Sequence, residues 1–177
     1  MFVIESIEKI KNQLIDEKMQ KINFPKLVNF IFDELYKEIV TKIKTIKISS
    51  ECVLYNSVES YNTTEEFSDR DYWNKNISED EIKNYWIIGE NGQGDYWIMD
   101  SANKIHFYDH DLGEMCKENF TELNINFTQW LQFAYLNKEL DKKITENEYT
   151  EKIGMEYMEK IKEIDKKLFE NYPFKIE

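Results

Sequence analysis

The chain has 177 residues but only two cysteines, two histidines and one arginine. Cys52 and Cys116 show no CxxC spacing and no second pair. That excludes a disulfide framework and makes a zinc site unexpected, so both are read as reduced thiols. Long apolar runs are missing as well. Stretches such as Tyr85-Trp86-Ile87-Ile88 fall far below the roughly 20 residues needed to cross a bilayer, so no spanning helix is expected. The opening Met1-Phe2-Val3-Ile4, followed by Glu5, Glu8 and Lys9, has neither the basic start nor the sustained apolar stretch of a secretory leader. The cytosol is therefore the expected compartment. GxSxG, HExxH, an EF-hand loop and a reactive-cysteine signature are all absent. Lysine outnumbers arginine 22 to one (Arg70), a bias that reads as codon usage in an AT-rich genome and carries no mechanism.

What is present is apolar and aromatic in quantity, 41% and 15% of residues. That is too much for an acidic disordered protein. A chain of this length buries roughly 70% of its extended surface on folding and needs no staple.

The formal charge is −12, and it is local. Residues 1–48 hold nine lysines against seven acids, and residues 136–177 hold nine against eleven. Residues 49–135 hold five basic groups against 17 acids, so the middle alone carries −12. A one-signed field of that kind repels nucleic acid, which needs a basic stripe, and favours encounter with basic partners.

Periodicity gives helices at both ends and strands between. Ile7, Ile10 and Leu14 mark a first helical face within residues 5–20. Leu27, Phe30, Ile31, Leu35 and Ile39 predict a second helix from Lys26 to Lys42 after Phe24-Pro25. Ile46, Ile48, Val53 and Tyr55 are spaced as paired strands around the Ser49-Ser50-Glu51 turn. Residues 59–77 read as a loop or short helix. Ser78-Glu79-Asp80-Glu81 is a capping box. Three strands follow, Tyr85 to Gly89, Asp95 to Asp100 and Lys104 to Asp109, joined by the Asn-Gly turn at 90–94 and by Ser101-Ala102-Asn103. After Gly113 helix is expected again, capped by Asn126 or Thr128. Thr145-Glu146-Asn147-Glu148 reads as a capping box opening one long helix that stops at Tyr172-Pro173. No repeat or long linker divides the chain. The expected fold is one α+β domain over 1–177, an antiparallel meander sheet flanked by helices at both termini.

Both histidines lie in His106-Phe107-Tyr108-Asp109-His110-Asp111. On a helix they would share a face, but on a strand four residues separate them by about 13 Å, too far for one metal ion. Asp109, His110 and Asp111 can still meet at the strand's end, where bonds to turn backbone compete with an acid–base role. The Gly89-to-Gly94 loop matches no phosphate-binding fingerprint and is followed by a strand. Meander aromatics fall on both faces. Most of them are expected to be core beneath the flanking helices; a row left exposed, ringed by Glu90, Asp95, Asp100 and Asp109, would form an interface, since aromatic anchors inside a charged rim are typical of one.

The ordered series Ser78–Glu81, Trp86-Ile87-Ile88-Gly89, Gly94-Asp95-Tyr96-Trp97, Lys104-to-Asp111 and Phe127-Thr128-Gln129-Trp130-Leu131 resembles the SUKH superfamily. The match covers roughly residues 78–135, about a third of the chain. Residues 145–172 stand outside it as a helical elaboration, and in the N-terminal half only Phe24-Pro25 answers the family's Leu-Pro and Asn-Gly signals. The resemblance implies an α+β fold without catalytic residues or cofactors. For bacterial members it also implies an immunity protein that neutralises a cognate toxin, often a nuclease. Gly94-Asp95 and Asp109-His110 carry over only as family-typical, architectural positions.

Together these readings predict a cytosolic, non-enzymatic immunity protein whose acidic surface occludes a basic toxin domain, with no membrane and no direct nucleic-acid partner. Glu90, Asp95, Trp97, Asp100, Tyr108 and Asp111 are the candidate contacts. The alternatives are a regulatory scaffold joining intracellular proteins and, ranked below it, a small hydrolase using Asp109, His110 and Asp111.

Overall fold

In the computed structural model, which describes residues 1–174, the middle of the chain forms one six-stranded sheet. Its strands are β1 (Ile46–Ser49), β2 (Cys52–Leu54), β3 (Tyr85–Glu90), β4 (Tyr96–Asp100), β5 (Ile105–Tyr108) and β6 (Phe120–Ile125). Each pairs antiparallel with the next in sequence, giving a continuous meander. The β3–β4 turn takes its positive backbone angles at Gly92 (78°) and Gly94 (101°), where a side chain would be strained. Sequence periodicity missed β6, whose alternation is broken by Asn124 at φ 57° and by an irregular register against β5.

Two-residue periodicity gives this sheet two apolar faces, and both are covered. Trp86, Ile88, Trp97, Met99, Ile105 and Phe107 face one layer. That layer contains α1 (Ile7–Leu14), α2 (Glu34–Val40) and, C-terminal to the sheet, α5 (Phe127–Thr145), α6 (Glu151–Ile164) and α7 (Lys166–Glu170). Phe127, Trp130, Leu131, Phe133 and Ala134 of α5 are wholly buried, each large side chain contributing roughly 1.5–3 kcal/mol relative to exposure. On the opposite face Ile87, Ile98 and Tyr108 pack under Trp73, Ile82 and Met115. That second cover comes from the connection after α3 (Ser57–Glu66), from α4 (Glu79–Ile82), and from the β5–β6 connection. A parallel bridge between Trp73 and Met115 joins its two strips.

Several element bounds differ from those expected, each for a local reason. The second helix begins at Glu34 rather than Lys26, because Asp33 caps it with a carboxylate that accepts from the Tyr36 amide at 3.0 Å. Residues 26–33 are irregular instead, and they turn Leu27 and Ile31 to solvent. Thr145 ends α5 instead of opening a helix, since its hydroxyl bonds back to the Asp141 carbonyl and Glu148 pairs with Lys143. The helix beyond is capped by Thr150 and broken at Asp165, whose carboxylate accepts from Lys167 and Leu168 to start α7. Of residues 59–77, read as a loop or short helix, those up to Glu66 belong to α3, which starts at Ser57 under an Asn56 cap.

Candidate partner-binding surface

The cover of the second sheet face carries most of the acidic residues of the middle segment, and many of those carboxylates have structural duties. Asp69 accepts from the Asp71 amide, and Asp109 accepts from that of Asp111. Glu81 completes the capping box with Ser78, and those bonds hold its carboxyl below the usual range. Glu114 accepts from the Asn74 amide group. Arg70, the segment's only arginine, donates to the carbonyls of Lys75 and Ile77. The carboxylates of Glu65, Glu66, Asp71 and Glu79 remain exposed on the same layer without a hydrogen bond or ion pair among the described residues, and they are free to meet a partner.

Only part of the candidate contact set reaches this surface. Trp97 is fully buried on the other face, ringed by Phe107, Trp130 and Phe133, with its indole N–H donating to the Glu51 carbonyl at 2.8 Å. Tyr108 is buried beneath the β5–β6 connection and donates its hydroxyl to the Gly113 carbonyl. Asp95 is buried too. These three are withdrawn as contacts, because burial leaves them no surface to offer. Asp100 is half-buried and spends one oxygen on the amides of Ala102 and Lys104, both at 2.9 Å, closing the β4–β5 turn. Its other oxygen lies 3.0 Å from His106 Nε2. Glu90 is half-buried beside Tyr55 and Tyr96. Asp111 is exposed, 3.5 Å from His110 Nε2.

Asp95 is a clasp between two turns. Its Oδ1 accepts from the His110 backbone amide at 3.0 Å and from His110 Nδ1 at 2.7 Å, while Oδ2 accepts from the Asn91 side chain at 2.7 Å. The β3–β4 turn is thereby tied to the end of β5. The bond to Asp95 raises the His110 pKa, opposed by desolvation and aided by the charges of Asp111, Asp95 and Asp109. Asp95, Asp109 and His110 place one donor atom each within 4.8 Å of one another, yet these bonds already engage both oxygens of Asp95 and one of Asp109. The Gly94-Asp95 and Asp109-His110 positions thus work as a hydrogen-bonded brace. The two histidines go to different carboxylates, His106 to Asp100 and His110 to Asp95.

The surface aromatics are ones that sequence reasoning did not single out. Tyr96 precedes Trp97 on β4, so strand alternation sends it to the acidic side. There it meets Phe67 at 4.8 Å between ring centroids, and Phe67 meets Tyr72 at 4.4 Å. Tyr72 is 40% exposed, and Phe67 and Tyr96 are half-buried. Burial and the nearby charges of Glu90 and Glu66 raise the Tyr96 phenol above its usual range. The available signal was the sign of the flanking charge: acids surround Phe67 and Tyr72 in sequence, whereas Trp97 sits in an apolar run. A shallow groove of ≈ 720 Å³ lies on the same layer, lined by Asn74, Asn84, Tyr85, Cys116 and Asn119 among others.

No protein-family model, curated protein or solved structure matches the chain. Among the described residues, no helix is long and apolar enough to cross a membrane.

Proposed function

We propose that this chain is a SUKH-type immunity protein of the bacterial cytosol, which neutralises a cognate toxin by covering a basic surface of it. The observation that carries the reading is the Phe67–Tyr72–Tyr96 cluster set among Glu66, Glu90 and unpaired acids. Aromatic faces beside carboxylates suit the lysine and arginine side chains of a partner, which gain cation–π contact and charge pairing together. The net charge of −12 steers such a partner in and repels nucleic acid. A nuclease domain, which needs positive surface to hold its own substrate, is the partner class this chemistry fits best. Commitment of Asp95, Asp100, Asp109 and both histidines to turn hydrogen bonds supports a binding role over hydrolysis.

The test is co-expression with the product of the adjacent gene, followed by co-purification over a salt series. Growth rescue by a complex that weakens as salt rises is the expected result. A harmless neighbour, or one that fails to co-purify, sinks the immunity reading and leaves the scaffold alternative, to be pursued by pull-down from host lysate.

A further inference from the structure

The molecule has a second surface of opposite character. Between Ile15 and Asp33 the chain runs 19 residues without helix or strand, a length at which an ordered loop in a compact domain is usually functional. This loop is pinned from inside. Phe24 and Phe32 stack at 4.4 Å between ring centroids, and both pack edge-on against buried Trp86. The Ile22 amide donates to Thr41, the Ile22 carbonyl accepts from the Ser57 hydroxyl, and the Asp33 amide donates to the Asn103 side chain.

Despite that anchoring, Leu27 is 90% and Ile31 81% exposed. Leu27 sits at the tip of a turn closed by the Val28 amide on the Pro25 carbonyl. A hollow of ≈ 380 Å³ alongside is lined by Phe24, Val28, Phe30 and Ile31. Two large aliphatic side chains are thus held out to water on a fixed backbone, which lowers the ordering cost of binding.

The surrounding charge is positive. From Ile15, where the loop begins, to Lys47 the chain holds seven lysines against five acids. Of those acids, Glu34 pairs with Lys37 and Glu38 with Lys11. Lys18, Lys21, Lys26, Lys42 and Lys44 form no ion pair among the described residues. Lys21 and Lys42 line a hollow that shares Glu34 and Lys37 with the apolar one. Facing copies of this loop would bring lysines against lysines. The complementary occupant is a protein segment with apolar side chains flanked by acids.

We propose that the 22–32 loop is a second docking surface, taking an acidic, aliphatic-bearing protein segment through Leu27 and Ile31. The probe is a fluorescein-labelled 14-residue peptide with leucines four apart among glutamates, alongside a control with lysines replacing the glutamates. On titration into the ¹⁵N-labelled full chain, the acidic peptide should shift the amide signals of residues 22–32, and the lysine control should not. Its affinity should fall as salt rises, and by at least tenfold in Leu27→Asp. Because Leu27 is almost fully exposed, that variant keeps its fold, which its unchanged remaining spectrum will verify. Silent 22–32 signals, or equal binding by Leu27→Asp, overturn the proposal. So does concentration-dependent dimerisation abolished by Leu27→Asp, or Leu27-dependent co-sedimentation with phosphatidylserine vesicles, because each assigns the loop a different occupant. None of these outcomes bears on the acidic layer, whose test does not involve Leu27.

Discussion

A methyl group added to Gly89 would lie 1.9 Å from the carbonyl oxygen of Val53. The contact is backbone to backbone, so no side-chain rotation relieves it. Gly89 pairs with Leu54 on one side and Trp97 on the other, beside a register shift in β3. The glycine that closes Trp86-Ile87-Ile88-Gly89 is therefore required by the close approach of β2. Gly89→Ala should destabilise the fold by at least about 3 kcal/mol, the upper end of the overpacking range, with the loss read as a lower urea midpoint. A midpoint equal to the parent's would show that β2 can move away at no cost.

Ser60 stands in for a missing strand. Beyond Leu54 no strand borders β3, and α3 takes its place: the Ile87 amide donates to Thr64 Oγ1 at 3.0 Å, and the Ile87 carbonyl accepts from Ser60 Oγ at 2.6 Å. With its one proton committed, Ser60 accepts from Trp86 Nε1 at 2.6 Å and from the Tyr36 hydroxyl at 2.8 Å. Burial pushes the Tyr36 phenol far above its usual range, so it stays protonated and keeps donating. Ser60→Ala removes the hub of a buried network and should cost about 3 kcal/mol, within the range for a stranded buried polar group. Urea denaturation checks the loss, and Trp86 fluorescence should shift with it.

The Asp95–His110 clasp predicts a pH signature. His110 has its folded-state pKa raised above 6.5, chiefly by the hydrogen bond to Asp95. A raised folded value means that its stabilising contribution is fully present below the unfolded pKa and disappears as pH rises through the folded one. His110 is half-exposed, so solvent screening keeps the effect small. A titration of the His110 Cε1 proton by NMR should show a midpoint above 6.5 in the parent and a return toward it in Asp95→Asn. A midpoint that ignores the substitution would mean that Asp95 holds the turn without holding the proton.

Much of this architecture was legible in the sequence because two-residue alternation and turn chemistry are local signals. The β3–β4–β5 meander, the Ser78 capping box and the Asn126 cap all follow from residues within a few positions of one another. The same locality explains the errors. Leu27 and Ile31 fit a helical period with Phe30, Leu35 and Ile39, but the Asp33 cap decided where the helix starts. Alternation puts Trp97 and Tyr96 on opposite faces, and only knowing which face α5 covers shows that Tyr96 is the outward neighbour. Asp95 and Asp100 counted as free charge, and nothing local reveals that His110, 15 residues away, and the β4–β5 turn engage them. Phe67 and Tyr72 sat in a stretch without period, so their meeting with Tyr96 is a purely tertiary fact.

If the acidic layer captures a basic partner, its aromatic and charged parts should fail in different ways. The Glu66 carboxylate is exposed and makes no hydrogen bond or ion pair among the described residues, while Tyr72 is 40% exposed and packs tilted against Phe67. Rim charges act mainly during encounter, so Glu66→Gln should slow association severalfold at low salt and leave dissociation nearly unchanged. Tyr72→Ala removes an anchor, and should instead speed dissociation by tenfold or more, about 1.4 kcal/mol. Asp100→Ala is the poorer probe of steering, since it also opens the β4–β5 turn and should lower stability. Stopped-flow association and surface-plasmon dissociation with the co-purifying toxin separate the two effects. Equal association rates for Glu66→Gln and the parent at low ionic strength would remove charge steering from the mechanism. A Tyr72→Ala complex as long-lived as the parent's would move the contact away from the Phe67–Tyr72–Tyr96 cluster.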